Sequence, residues 1–141
     1  MQSEMPTIKD KPLGVSMIIC DQIITEEGTH KKSLIGTFNS LSVKSFPCSL
    51  PRFFVFTALT NGSGSYNAKL RCTNETISPN TTFFELEGQV QFRDPMETVE
   101  MGFKMVNLTF PSPGVYCFEL HCDDELILQR RIKVAQRKDR T

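Results

Sequence analysis

Cys117, Glu119 and His121 stand two residues apart, so in an extended strand all three side chains leave the same face. Thiol, carboxylate and imidazole are all metal ligands, and neighbouring same-face residues chelate zinc in His-x-His sites. No second ligand cluster accompanies them in the sequence. These three therefore stand as candidates only, and the expectation is a strand face that is solvated or covered by a partner, with no metal or other cofactor. The chain has two histidines, His30 in a turn and His121. A Ser or Cys nucleophile would need one of them beside it with a third orienting group, and no Gly-x-Ser-x-Gly elbow announces one. Gly62-Ser63-Gly64 reads as a hairpin tip rather than a phosphate cradle, because no helix N-terminus follows it. Asp94-Pro95 and Asp123-Asp124-Glu125 could hold a cation, but acidic turn residues more often satisfy backbone donors. The expectation is a protein that is not an enzyme and has no catalytic residues.

Charge points the same way. The 141 residues carry 16 basic and 16 acidic side chains and no net charge, whereas a nucleic-acid binder needs surplus Lys and Arg facing phosphates. Six of the basic residues, Arg130, Arg131, Lys133, Arg137, Lys138 and Arg140, crowd the last twelve positions. Arg131 and Lys133 read as the wet face of a strand whose other face is Ile132 and Val134. Nucleic acid is not expected as a partner.

The elements that would position these residues are strands. No window keeps apolar residues at i, i+3, i+4 and i+7; short β-rich runs recur between turn residues instead. The runs are 15–25, 33–43, 52–60, 66–72, 81–92, 98–110, 115–122 and 126–134. Asn-Gly-Ser-Gly-Ser after Thr60 is a hairpin signal, since Asn and Gly tolerate positive φ. Tyr66, Ala68, Leu70 and Cys72 alternate with Asn67, Lys69 and Arg71, and Phe84 to Phe92 alternates with Glu and Gln, as half-buried strands do. Gly88 within the latter run suggests a bulge. Residues 73–80 read as a polar connection, and the run 98–110 as a strand that bends near its middle. Tyr116, Phe118, Leu120 and Cys122 share a core face. The first run is apolar on both faces, with Met17, Ile19 and Ile23 opposite Ile18, Cys20 and Ile24, and Phe53-Phe54-Val55-Phe56 reads as a central strand buried on both faces. Pro113-Gly114 leading into Tyr116 matches the tyrosine corner, in which a phenol bonds the chain just upstream. The predicted fold is all-β: one immunoglobulin-like antiparallel β-sandwich of about 8–9 strands over 14–135, with a flexible N-terminal segment at 1–13 and a polar basic tail at 136–141. Neither the inter-sheet disulfide nor the core Trp of an immunoglobulin domain is present.

The five cysteines, Cys20, Cys48, Cys72, Cys117 and Cys122, show no Cys-x-x-Cys spacing and are odd in number, so reduced, buried thiols are expected. The start of the chain lacks the basic, apolar and small-residue succession of a secretory signal, and no run approaches a membrane span of about 20 apolar residues. Four Asn-x-Ser/Thr sequons, at Asn61, Asn74, Asn80 and Asn107, then follow from turn composition rather than glycosylation. A cytoplasmic location without membrane association is expected.

Ile19-Cys20-Asp21, Ser33-Leu34-Ile35-Gly36-Thr37-Phe38-Asn39, Pro51-Arg52-Phe53 and Leu59-Thr60-Asn61-Gly62 resemble a family of small, uncharacterised bacterial proteins. Gly88 through Pro95, and Pro113-Gly114-Val115-Tyr116 onward to Arg130-Arg131, follow the same pattern. The resemblance covers about Gly14 to Val134; the extra cysteines and the Asn-rich connection at 73–82 are not matched to it. It implies a bacterial domain of unknown function with an immunoglobulin-like sandwich, and supplies no activity or site residues. A stable scaffold without a chemical site leads to the expectation of a protein–protein interaction module, an adaptor or subunit of a larger bacterial assembly, whose partner is another protein chain or a second copy of itself. The alternative is a small-ligand or carbohydrate-binding module using the loops at 61–65, 93–97 and 111–114 at one end of the sandwich.

Overall fold

A computed structural model describes residues 10–77 and 82–138. They form nine strands: β1 (Leu13–Thr25), β2 (Lys32–Thr37), β3 (Ser40–Val43), β4 (Cys48–Thr60), β5 (Gly64–Asn74), β6 (Thr82–Phe92), β7 (Val99–Phe110), β8 (Gly114–Cys122) and β9 (Glu125–Gln136). A four-stranded sheet in the order β2-β1-β4-β7 packs on a five-stranded sheet in the order β3-β9-β8-β5-β6. The alternating runs explain the packing. Tyr66, Ala68, Leu70 and Cys72 of β5 and Tyr116, Phe118, Leu120 and Cys122 of β8 face inward, against Met17, Ile19, Phe53, Val55 and Leu59 of the other sheet. Phe53 and Phe118 meet edge to face across the two layers, with ring centroids 6.3 Å apart.

The run at 33–43 corrects the reading of a single strand. It divides into β2, which pairs β1, and β3, which crosses to the other sheet and pairs β9 in parallel. The sandwich is thus antiparallel except at this edge. Gly36 at φ 69 precedes the crossover, a left-handed backbone that a β-branched residue would strain. Gly88 makes no bulge, since Ala68 faces it in regular register; the irregularity of that ladder falls at Cys72/Thr73. β7 keeps one register against β4 from Val99 to Phe110, with no break near its middle, and its positive φ, 52 at Asn107, comes late in the strand. Asp123 and Asp124, both with positive φ, close the two-residue β8–β9 hairpin as a primed turn requires.

The phenol of Tyr116 donates to the carbonyl of Ser112 at 2.8 Å, the bond expected of a tyrosine corner. Of the N-terminal segment, residues 1–9 lie outside the described residues; the Asp10 carbonyl accepts from the Tyr66 hydroxyl at 2.8 Å, and Leu13 opens β1. At the other end, β9 runs to Gln136, and the Arg137 amide donates to Val43 at 2.8 Å. No helix among the described residues is long and apolar enough to cross a membrane.

Candidate functional site

Cys117, Glu119 and His121 do leave one face of β8, the outer face of the five-stranded sheet. A strand rises about 3.3 Å per residue, so the Cα atoms of Cys117 and His121 stand about 13 Å apart and no single ion with bonds of about 2 Å reaches all three. Their neighbours across the ladders are Thr73 and Arg131 beside Cys117, Arg71 and Gln129 beside Glu119, and Lys69 and Leu126 beside His121. Cations therefore flank the row on both sides. Burial, together with the negative charge of Glu119 and Glu75, pushes the Cys117 thiol up to about 11, which keeps it protonated and a poor ligand at neutral pH. Among the described residues no three His, Cys, Asp or Glu side chains gather as a metal set. Arg131 Nε donates to both carboxylate oxygens of Glu75, at 3.0 and 2.9 Å, and Lys69 pairs with Glu87 at 3.7 Å. The face is a lattice of alternating charge. Arg71 Nε and His121 Nδ1 are buried there without a hydrogen-bond partner, beside a hollow of about 170 Å³ lined also by Lys69, Glu85 and Asp124.

Four of the five thiols, those of Cys20, Cys72, Cys117 and Cys122, are buried, and all five are free. Burial is the largest cause that raises each of these four, most strongly at Cys72. The sequons fall on turn and packing positions. Asn61 and Asn107 adopt positive φ, Asn74 is buried with its side-chain Oδ1 accepting from the Thr76 amide at 3.2 Å, and Asn80 lies outside the described residues. The three loops expected at one end do not share it. The Asn61 amide donates to Pro95 at 2.9 Å, which brings 61–65 and 93–97 together, whereas 111–114 closes β7 to β8 at the opposite end, where Val115 donates to Thr76.

Two features of the fold are not legible in the sequence. Arg130, counted among the basic residues of the C-terminus, reaches from β9 to the other sheet, where Nη1 donates to the Met17 carbonyl at 2.8 Å and Nη2 to the Asn39 side chain. Only the apolar alternation of β9 around it hinted that this arginine points inward. The second is an arm. Past Cys20, β1 leaves β4 and pairs with β2, and this hairpin turns over the outer face of the four-stranded sheet. A Cβ at Gly102 would lie 2.9 Å from Ile23 Cδ1, and Ile23 and Lys32 bound a groove of about 270 Å³ with Phe54, Phe56, Glu100, Met101 and Gly102. That explains the two-sided apolar character of the first strand and of Phe53-Phe54-Val55-Phe56: Ile19, Phe53 and Val55 enter the core, while Cys20 and Phe56 are buried on the face the arm crosses.

The exposed surface of most interest is a side of the sandwich. β6 and β7 are edge strands of different sheets, and between them lies a groove of about 200 Å³ lined by Phe84, Glu85, Leu86, Lys104, Met105, Val106 and Leu108. Val106 is 60% exposed and Leu86 37%. Residues 15–135 match a family model described as a family of unknown function (DUF6941). No curated protein matches the chain.

Proposed function

We propose that this chain, which belongs to the family of unknown function DUF6941, is a non-enzymatic protein–protein interaction module, an adaptor or subunit of a larger bacterial assembly. The observation that carries the reading is the β6–β7 side, where two long edge strands flank a groove with exposed apolar residues on its rim. Edge strands offer backbone donors and acceptors to an added chain, and an apolar groove beside them supplies the side-chain contacts that β-augmentation uses. The charged outer face of the five-stranded sheet, with its raised thiol and cation-flanked carboxylate, favours no nucleophile or metal chemistry.

The scaffold reads as immunoglobulin-like. Supporting this are the β3–β9 parallel pairing beside β1–β4, the order in which the first strand of such domains splits between two sheets; the Tyr116 corner; and the Phe53–Phe118 contact where an antibody domain carries its disulfide. Five free thiols, four of them buried, favour a reducing compartment and hence the cytoplasm.

The test is affinity capture from host lysate under reducing conditions, comparing the wild type with the double variant Leu86→Lys/Val106→Lys. Both side chains are exposed, so the fold tolerates the change. A stoichiometric protein captured by the wild type and lost by the variant supports the reading. A protein that captures nothing and is thermally stabilised by a small molecule overturns it, because a ligand that binds only the native state raises stability.

A further inference from the structure

The described strands leave four edges: β2 and β7 on one sheet, β3 and β6 on the other. An edge strand pairs with a second copy of itself across a two-fold axis when the residues brought opposite each other satisfy one another in both directions. By charge, β7 alone meets that condition. β2 carries Lys32 and no acid, β3 has no charged residue, and β6 holds Glu85 and Glu87 with no cation. β7 holds one of each sign, Glu100 and Lys104, evenly spaced about Gly102 and exposed on the sheet's outer face. Neither makes an ion pair within the chain among the described residues.

An antiparallel register centred on Gly102 sets Glu100 opposite the partner's Lys104 and Lys104 opposite the partner's Glu100. On the inner face it sets Met101 opposite the partner's Phe103 and Val99 opposite the partner's Met105, so every inward pair is apolar. A slip of two residues leaves both charges facing Gly102, Thr98 or Val106. A slip of four sets Glu100 against Glu100 or Lys104 against Lys104, which repel. The strand is not blunted in this stretch: Val99 to Val106 contains no proline, and its ladder to β4 is regular as far as Val106, ahead of the positive φ at Asn107.

We propose that the chain forms a two-fold homodimer by antiparallel pairing of β7 with β7 of a second copy, in the register centred on Gly102, which joins two four-stranded sheets into one of eight. The inference rests on the interaction-module reading and names the partner as the chain itself. Sedimentation velocity on the full chain, from low to high micromolar concentration, tests it. The wild type dimerises, more weakly at raised salt, since the Glu–Lys pairs are solvent-exposed. Glu100→Lys alone and Lys104→Glu alone each weaken the dimer about tenfold or more, because two attractive pairs become two repulsive ones. The double variant Glu100→Lys/Lys104→Glu recovers wild-type affinity, which a structural defect would not allow. A wild type that stays monomeric at high concentration overturns the proposal, as does a dimer that both single variants retain. Such a failure leaves the broader reading to its own test, since a protein captured by the wild type and lost in Leu86→Lys/Val106→Lys would still mark an interaction module.

Discussion

Burial decides what the cysteines can do. Cys117 and Cys122 are each pushed up to about 11, first by burial and then by the acidic side chains beside them, Glu119 and Glu75 for Cys117 and Asp123 for Cys122. An unfolded thiol titrates near about 8.5. The folded state thus holds these protons after the unfolded state has released them, and their contribution to stability is intact below about pH 8.5 and lost as pH rises towards 11. Urea midpoints measured across that window should fall, and Cys122→Ala should flatten the fall; an equal slope in the variant would show that this thiol is not the cause. At neutral pH a thiol reagent should modify half-buried Cys48 first and the buried four only at the rate of opening. Tyr116 presents a simpler case. Its hydroxyl bonds the Ser112 carbonyl while its ring packs on Phe110, with centroids 4.9 Å apart. Tyr116→Phe keeps the ring and loses the bond, so denaturant unfolding should show a cost of about 0.5–1.5 kcal/mol.

Among the elements, β4 ties the four-stranded sheet together, since it pairs with β1 and β7 and sends Phe53, Val55 and Leu59 into the core. Phe53 touches Phe38 and Phe118, so Phe53→Ala leaves a cavity between the sheets and should cost about 3–5 kcal/mol by urea unfolding. Gly62→Ala should cost about 1–3 kcal/mol for the opposite reason, since a methyl there would intrude on the Phe92 ring. These strands are legible in the sequence because period two survives any fold that buries one face, and the alternation marks the core faces of β5 and β8 residue by residue. The division of 33–43 is not, because which sheet a strand joins is decided by pairing with residues far along the chain, here Lys133 to Gln136. The candidate row on β8 was legible as a face but not as a site. Its surroundings, Lys69, Arg71 and Arg131, come from two other strands whose register no single sequence prints. The arm over Gly102 was legible only as an unexplained excess of apolar residues in the first strand.

For the molecule as a whole, the two sheets divide into interior strands and edges, and amide exchange should report that division. Amides of β4 and β8 are bonded to neighbours on both sides and covered by the core, so they should exchange only through global opening. Those of β7 split into two sets. Alternate amides point to β4 and are bonded there, while the others point away from the sheet and meet no neighbouring strand among the described residues. A two-fold dimer through β7 protects this second set between Val99 and Val106 and leaves the first nearly unchanged. Exchange measured at low and high protein concentration should therefore slow at alternate residues of β7, in step with the dimer fraction, and not elsewhere along the open edges. Lys104→Glu should abolish that slowing while β4 and β8 keep their protection, because the substitution lies on an exposed face and leaves the core intact. Slowing spread evenly along β6 instead would move the interface to the other edge of the same side, and no concentration dependence at either strand would leave both edges to a partner of different sequence.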